Sequence, residues 1–268
     1  MTDSTLGTAL ITGASTGIGA VYADRLAKRG HDLILVARDK ARMEALAERL
    51  IAETGRSIEV LPADLIDGDD LDRVAKRLAT DEAITMLVNN AGMSLNGGLL
   101  ENEAPAIERL IALNITAPAL LASAAGKAFK ARGKGAIVNI ASVLAFAPEA
   151  YDGTYSGSKA FLLNLSLSLA GQLEPLGVRV QAVLPGATRT EIWERSGKDV
   201  DAFPAEFVMG VDDLVNAALL GFDRGETVTI PPLADEGLYT AHTEARLAMG
   251  PHLSKRDVAP RYREALEA

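Results

Sequence analysis

The chain has 268 residues, a length that one α/β domain can reach and that buries a large core without crosslinks. It contains no cysteine, which excludes a disulfide scaffold, a thiolate metal site and a cysteine nucleophile. Acidic residues outnumber basic ones 36 to 27, and the net charge of −9 disfavours both nucleic-acid binding and docking on an anionic membrane.

Two features at the level of the whole chain favour a cytoplasmic globular protein. Residues 1–5 hold no basic stretch followed by an apolar run, so we expect no secretory signal. The least polar long window, 110–125, contains Asn114 and Pro118 and is expected to be too short to span a bilayer.

Short apolar runs alternate with helical stretches along most of the chain. The runs are rich in Val, Ile and Leu without period-2 alternation, which is typical of strands buried on both faces. We predict strands at residues 8–12, 32–37, 58–62, 86–89, 136–140, 178–184 and 227–230, with helices between them such as 17–29, 39–53 and 156–176. Repeated β-α-β units predict an α/β fold with a doubly wound parallel sheet, in one domain over residues 1–268.

Two segments do not follow this alternation. Residues 191–210 are long, irregular and rich in aromatic residues, which predicts a lid or a substrate loop. The tail, 233–268, is interrupted by prolines and predicts a short helical C-terminal extension. We expect it to pack against a partner subunit or over the mouth of the site.

A glycine-rich turn follows the first predicted strand and precedes a helix. Glycines at this place let the backbone turn sharply and approach a pyrophosphate, which the helix N-terminus then holds. Glycine turns also close strand–helix junctions that bind nothing, but the strand–turn–helix context favours a dinucleotide. The expected cofactor contacts in this turn are Gly13, Ser15, Thr16, Gly17, Ile18 and Gly19.

The end of the second strand predicts which dinucleotide binds. NAD-specific folds usually place an acid here for the ribose 2′-hydroxyl, but this position holds Ala37, followed by Arg38. A guanidinium suits a 2′-phosphate, and Ser15 can add a hydroxyl donor, so NADP(H) is preferred over NAD(H). Alternatively, Arg38 is only solvated and Asp39 only caps the next helix, or Asp39 takes the NAD role.

Two more strand ends carry candidate cofactor contacts. After the third strand, Asp64 can accept from the adenine amino group while Leu65 packs on the ring, although Asp64 could instead cap the following helix. After the fourth strand, Asn90, Ala91 and Gly92 can present a carbonyl to a ribose, although such sequences often only make turns.

A tyrosine and a lysine predict acid–base chemistry. Tyr155 and Lys159 stand at i and i+4, on one helix face, and the ammonium is expected to lower the phenol pKa. Ser142 ends the fifth strand, where its hydroxyl can face the same cleft. Asn114 precedes Pro118 by four residues, so its carbonyl lacks the backbone N–H that residue i+4 usually donates in a helix. This carbonyl could hold a relay water; alternatively, the proline only kinks the helix.

In these motifs the chain resembles the classical short-chain dehydrogenases/reductases over about residues 5–230, a family with a Rossmann fold. The resemblance implies that Tyr155 is the general acid/base, that Ser142 polarises the substrate carbonyl and that Lys159 binds the nicotinamide ribose. It further implies that Asn114 holds a relay water. The remaining implied cofactor contacts are Pro185, Gly186, Thr188 and Thr190, of which Thr188 and Thr190 are implied to orient the nicotinamide carboxamide.

The implied activity is hydride transfer between a nicotinamide and a carbonyl or secondary alcohol. The glycine-rich strand that builds tetramers in many family members has no counterpart here. We therefore expect a homodimer through helices 105–130 and 156–176, with a tetramer possible.

The substrate is expected to be an apolar ketone or aldehyde if the hydrophobic residues beside the motifs line a pocket rather than the core. They are Met93, Leu95, Leu144, Phe146, Tyr151, Trp193 and Phe203. The alternatives are a non-catalytic dinucleotide sensor that binds protein partners, and a lyase or dehalogenase that uses no nicotinamide. We expect no metal, and we expect His31, His242 and His252 at the surface.

Overall fold

A computed structural model describes residues 6–150 and 152–263. Within them, seven parallel strands form one sheet in the order β3-β2-β1-β4-β5-β6-β7. The strands are β1 (Thr8–Thr12), β2 (Asp32–Ala37), β3 (Ile58–Pro62), β4 (Ile84–Asn89), β5 (Gly135–Ile140), β6 (Val178–Val183) and β7 (Val228–Thr229). This order reverses direction between β1 and β4, which is the doubly wound architecture that the sequence predicts.

Helices cover both faces of the sheet. The helices of the described residues are α1 (Gly17–Lys28), α2 (Lys40–Thr54), α3 (Gly68–Thr80), α4 (Ala104–Ile111), α5 (Ala117–Arg132), α6 (Gly153–Leu173), α7 (Ile192–Arg195), α8 (Val211–Arg224) and α9 (Glu236–Met249). The chain divides into two compact units, Met1–Pro232 and Leu233–Ala268, so the sheet and its helices α1 to α8 form the first unit.

The core is split by the sheet into two layers. On one face Ile11 and Leu35 pack with Leu26 of α1, and on the other Leu10 packs with Phe129 of α5, all of them almost fully buried. Successive strand residues point to opposite faces, so both sides of each central strand must be apolar. This explains the continuous hydrophobic runs in the sequence and leaves the strand ends as the place for polar side chains.

The helix α6 begins three residues earlier than predicted, at Gly153. The Asp152 carboxylate caps it by accepting from the backbone N–H groups of Thr154 and Tyr155, each at 3.1 Å. This cap fixes the first turn of the helix. Tyr155 therefore stands in that first turn, at the end of the helix that faces the strand ends.

The segment from α4 to α5 is one helical stretch with a π turn over Ala112–Thr116. In that turn the N–H of Ala117 bonds the Ala112 carbonyl, and Pro118, which has no N–H, follows directly. The prediction of a window too short to span a bilayer needs correction. The helical stretch Ala104–Arg132 has 29 residues and is long and apolar enough by length and composition alone, with 44% of its most apolar window buried in the protein.

Two smaller predictions are also corrected. His31 is 8% exposed rather than at the surface, because its Nδ1 lies 3.2 Å from the Gly7 carbonyl, and burial lowers its pKa. The last strand is shorter than predicted and ends at Thr229, close to Pro231 and Pro232, which cannot donate to a ladder.

The irregular segment 191–210 contains the short helix α7 and two 3₁₀ turns. The second compact unit consists of α9, capped by Asp235, and short 3₁₀ turns at Gly250–His252 and Pro260–Tyr262. The prediction of a helical extension agrees with these elements. Residues 1–5, Tyr151 and 264–268 lie outside the described residues.

Candidate active site

A cleft of about 840 Å³ opens at the carboxyl edge of the sheet, around the point where the strand order reverses. This is where doubly wound folds bind ligands, because the loops that follow β1 and β4 diverge there. The cleft is lined by loops after six of the strands, β1 to β6.

Nearly all the residues that the sequence marks as candidates meet in this cleft. They are Gly13, Ser15, Thr16, Gly17, Ile18, Arg38, Asp64, Leu65, Asn90, Ala91, Gly92, Ser142, Tyr155, Lys159, Pro185, Gly186, Thr188 and Thr190. Gly19 and Asn114 do not line it. Gly19 packs against the Gly13 carbonyl, and Asn114 is buried behind the cleft wall.

The glycine-rich turn has the backbone that a close-approaching ligand requires. Gly13 and Gly17 have φ values of +66° and +55°, in the left-handed region that a side chain disfavours. A Cβ at Gly13 would lie 2.8 Å from Asn90 Nδ2, and one at Gly17 would lie 3.3 Å from Thr190 Cγ2. The side chain of the N-cap, Thr16, makes no capping bond within the described residues, so the first amides of α1 face the cleft uncapped.

Asparagine side chains tie the strand ends together, as the sequence suggests. Asn90 Nδ2 donates to the Thr12 carbonyl at 2.9 Å, and Thr12 Oγ1 accepts from the N–H of Asn90 and of Ala91 at 3.0 Å. Asn89 Nδ2 donates to Asn139 Oδ1 at 3.0 Å between β4 and β5. These bonds fix the floor of the cleft between β1, β4 and β5.

At the end of β2, the Arg38 side chain is 65% exposed, and its Nη1 lies 3.9 Å from Asp64 Oδ2. Asp39 caps α2 by accepting from the N–H of Arg42 at 3.0 Å, so the structural interpretation of this acid agrees with the geometry. Asp64 does not cap α3, which Asp67 caps instead. Arg38 is thus an exposed guanidinium held by one long ion pair.

The lysine of the tyrosine–lysine pair is buried. Lys159 is 5% exposed, its Nζ donates to the Ile140 carbonyl at 2.9 Å, and it lies 5.5 Å from the centre of the Tyr155 ring. Burial lowers the pKa of Lys159 from 10.5 to about 8. The side chain thus holds a cation next to the phenol at neutral pH while remaining close to losing its proton.

The serine of the site stands at the turn after β5. Ser142 is 7% exposed; its Oγ accepts from the N–H of Leu144 at 3.1 Å and lies 3.4 Å from the Pro185 carbonyl, to which it can donate. The contact with the Pro185 carbonyl is long for an O–H···O bond, so the hydroxyl proton can turn toward a ligand in the cleft at small cost.

Asn114 lies in the π turn and pairs with the chain after β4. Its Oδ1 accepts from the N–H of Met93 and its Nδ2 donates to the Met93 carbonyl, both at 2.9 Å, and Nδ2 also lies 3.2 Å from Ser158 Oγ. A Cβ on Gly92 would meet both Asn114 Oδ1, at 3.4 Å, and Lys159 Nζ, at 3.5 Å. Asn114 therefore does more than mark a proline kink, because its side chain fixes the backbone beside Lys159.

Of the hydrophobic residues predicted to line a substrate pocket, Met93 and Trp193 line the cleft. Leu95, Leu144, Phe146 and Phe203 do not, and the Phe203 ring instead packs against Trp193, with 5.1 Å between the ring centres. Sequence reasoning missed three charged residues on the rim, namely Arg109, Glu191 and Arg195. No motif marks them, because they reach the rim only through folding of distant segments.

No group of three or more His, Asp or Glu side chains that could hold a metal ion occurs among the described residues.

Comparison with known proteins defines the class of this fold and site. Residues 7–201 match the short chain dehydrogenase family, so the chain belongs to that family and the predicted membership is confirmed. The curated relatives carry the names of dehydrogenases and reductases, as expected of an oxidoreductase family acting on CH–OH and C=O groups.

Two solved structures are similar over nearly the whole chain. A short-chain dehydrogenase from Sphingobium yanoikuyae in complex with NADPH is 53% identical, with a TM-score of 0.94, over 96% of this chain and 100% of that one. The bulky-bulky ketone specific alcohol dehydrogenase from Comamonas testosteroni is 48% identical, with a TM-score of 0.90, over 97% and 99% of the two chains.

Among curated proteins, human 17-beta-hydroxysteroid dehydrogenase type 3 is 36% identical over 184 residues. That match covers 68% of this chain and 59% of the human protein. A very-long-chain 3-oxoacyl-CoA reductase from Podospora anserina is 36% identical over 66% of this chain and 53% of its own length. The chain thus matches little more than half the length of these curated relatives.

Proposed function

We propose that this protein is an NADP(H)-dependent oxidoreductase that transfers a hydride between nicotinamide and a carbonyl or secondary alcohol, and that it reduces apolar ketones or aldehydes. The observation that carries the proposal is that buried Lys159, beside the Tyr155 ring, shares one cleft with Ser142 and with the glycine-rich turn. A protein that only sensed a dinucleotide would have no need of this acid–base group.

The residues present fit a nicotinamide dinucleotide. At Gly13 and Gly17 the positive φ values and the close approach of Asn90 and Thr190 require residues without a Cβ. The N-terminus of α1, which Thr16 does not cap, suits a pyrophosphate. Ser15 and Arg38 would hold a 2′-phosphate, and Lys159 would hold the nicotinamide ribose. When bound, the reduced cofactor supplies the hydride.

The protein's own residues supply the proton and the electrostatics. The Tyr155 hydroxyl donates its proton to the carbonyl oxygen as negative charge develops there, and the Ser142 hydroxyl donates a hydrogen bond to the same oxygen. The Lys159 ammonium stabilises the phenolate that remains. Asn114 holds the backbone at Met93 and so keeps the lysine side of the cleft in place.

The preference for NADPH is supported by Ala37 and Arg38 at the end of β2, where an NAD enzyme usually carries an acid. It is also supported by the Sphingobium relative, which is in complex with NADPH. The preference for an apolar carbonyl is supported by Met93 and Trp193 on the cleft wall and by the ketone named for the Comamonas relative.

A fluorescence titration of the purified protein with NADPH and NADH tests the proposal. Arg38→Ala should weaken NADPH binding by about tenfold to a hundredfold and leave NADH unchanged, since a hydrogen-bonded charge pair is lost. Arg29→Ala, which breaks an ion pair with Asp223 away from the cleft, is the control. If NADH binds more tightly than NADPH and Arg38→Ala leaves the NADPH affinity unchanged, the NADPH preference is wrong. If neither cofactor binds, the oxidoreductase proposal is overturned.

We also propose a cytoplasmic homodimer formed through α4, α5 and α6. Ile111 and Leu120, on α4 and α5, expose 40% and 47% of their surface, which is the kind of apolar face a subunit contact covers. Light scattering on the purified protein would measure the mass, and Leu120→Glu should shift a dimer toward the monomer.

A further inference from the structure

Two arginine side chains and one glutamate side chain join distant parts of the cleft rim. They are Arg42 on the first turn of α2, Glu191 just before α7, and Arg195 at the end of α7. Arg42 Nη1 lies 2.8 Å from both carboxylate oxygens of Glu191, and Arg195 Nη2 lies 2.7 Å from Glu191 Oε2. One carboxylate therefore bridges two guanidinium groups, and one of these, Arg42, is 149 residues from Glu191 in the chain.

The bridge brings a cation to the glycine-rich turn. Arg195 Nη2 lies 3.3 Å from Oγ1 of Thr16, the N-cap residue of α1. Gly17, the next residue after Thr16, also lies close to Thr190, because a Cβ on Gly17 would lie 3.3 Å from Thr190 Cγ2. The segment after β6 thus touches the turn at two places, and one of these contacts is a guanidinium.

An anion at the N-terminus of α1 would lie within reach of that guanidinium. The amides of this helix end are uncapped by Thr16, and a pyrophosphate held there carries charge that a planar guanidinium can bind through two hydrogen bonds. Arg195 lines the cleft and is 55% exposed, so the side chain is free of the core and can turn from Thr16 to a bound phosphate.

The glutamate holds this arginine in place. Hydrogen bonds from Arg42 keep the pKa of Glu191 below its usual value, which leaves the carboxylate charged near neutrality. Arg42 is in turn fixed by Asp39, the cap of α2, with 3.3 Å between Nε and Oδ2. Ion pairs at this degree of exposure are weak and screened by salt, so the bridge can open when a cofactor enters or leaves.

We propose that Arg195 binds the pyrophosphate of the cofactor and that Glu191, anchored by Arg42, is a positioning residue that aims Arg195 at the glycine-rich turn. This inference rests on the proposed use of a nicotinamide dinucleotide. It adds a cofactor contact from the segment after β6, which the sequence predicts to be a lid or a substrate loop.

The experiment measures the dissociation constants of NADPH and of adenosine 2′-monophosphate, which lacks the pyrophosphate, on the full chain. Arg195→Met should weaken NADPH by roughly tenfold and leave adenosine 2′-monophosphate unchanged. The matched control is Arg189→Met. Arg189 is also 55% exposed and paired with an acid, Asp201, but it does not line the cleft.

A double-variant cycle tests the positioning role. Glu191→Gln alone should weaken NADPH by a few fold, and it should have no further effect once Arg195→Met is present, because Glu191 acts through that arginine. Thermal unfolding of each variant should stay within a degree or two of the original protein, as expected for exposed residues.

The outcomes are distinct. Unchanged NADPH binding in Arg195→Met, or an equal loss for adenosine 2′-monophosphate, overturns the pyrophosphate contact. A Glu191→Gln effect that persists in the Arg195→Met background overturns the positioning role. Absence of NADPH binding by the original protein instead overturns the proposed function, and the unsubstituted chain therefore separates the two failures.

Discussion

The two halves of the cleft are held by different physical means. On the side of β4 to β6, Asn114, Ser142 and Lys159 are buried and bonded largely to backbone groups. On the side of β2 and the rim, Arg38, Arg42 and Arg195 have half or more of their side chains exposed and pair with acids. The contrast teaches that the buried half is preorganised by bonds to the backbone, while the exposed half is held only by surface ion pairs.

The same contrast has an energetic reason. A buried polar group that loses its partner costs the protein stability, so the buried half permits few arrangements. An exposed ion pair contributes only about 0–1 kcal/mol, so the exposed half can be altered without loss of the fold. Substitutions in the buried half should therefore lower turnover and stability, whereas substitutions in the exposed half should lower cofactor affinity.

The largest effect is expected from Tyr155→Phe. Removal of the acid–base hydroxyl should lower kcat by about 10²–10⁴-fold in a steady-state assay with an apolar ketone, with NADPH affinity nearly unchanged. The control is Tyr22→Phe, since the Tyr22 hydroxyl is buried and has no hydrogen-bond partner among the described residues. An equal loss of activity in both variants would show that the effect is structural.

The next effect concerns stability and pH in the buried half. Because burial lowers the Lys159 pKa to about 8, the folded protein binds this proton less tightly than the unfolded chain does. The contribution of Lys159 to stability is then largest above the unfolded pKa of about 10.5 and is lost as the pH falls to about 8.

Urea unfolding at several pH values measures this effect. Between pH of about 8 and about 10.5, the free energy of unfolding of the original protein should rise relative to Lys159→Met, by up to a few kcal/mol. A difference that stays flat across this window would mean that the lysine is as well solvated in the folded state as in the unfolded chain.

A smaller effect is expected in the exposed half from Ala37→Asp. A carboxylate at the end of β2 would repel a 2′-phosphate and accept from a ribose 2′-hydroxyl. NADPH affinity should fall by about tenfold or more while NADH affinity rises, as measured by fluorescence titration. Ala37→Asn is the matched control, because asparagine has the size of aspartate without its charge. A similar change of cofactor preference in Ala37→Asn would contradict the electrostatic explanation.

The smallest effect is that of salt. Raising the ionic strength from about 50 mM to about 500 mM should weaken NADPH binding several-fold, because exposed guanidinium groups are screened. The kcat at saturating NADPH should stay nearly constant, since the buried half is shielded from ions. A salt-dependent kcat with a constant NADPH affinity would reverse the comparison between the two halves.

Much of the fold followed from local patterns. The boundaries of β1, β2 and β3 agree with the prediction, because each apolar run is bounded by turn or capping residues. The start of α6 was misplaced because the capping function of Asp152 depends on the direction in which the chain enters the helix. The long helix predicted at 105–130 agrees with the helical stretch Ala104–Arg132, but the π turn that accommodates Pro118 within it has no signal in the sequence.

The candidate site likewise contains residues that local sequence patterns predict and contacts that they do not. Tyr155 and Lys159 were found from an i, i+4 spacing, and the glycine turn from its place between a strand and a helix. The partners of Asn114 and the rim residue Glu191 could not be found, since Met93 lies 21 residues from Asn114 and Arg42 lies 149 residues from Glu191. Of the predicted pocket residues, Leu144 and Phe146 follow Ser142 closely, yet neither lines the cleft.

The sequence by itself determined the α/β class, the direction and burial of the strands, and the residue types at the strand ends, because these depend on the chemistry of neighbouring residues. Only the tertiary structure decided that Lys159 is buried against Ile140, that Asn114 braces Met93, and that Glu191 joins α2 to the glycine-rich turn. These contacts are made between segments far apart in the chain, and their geometry exists only after the sheet has brought the ends of its strands to one edge.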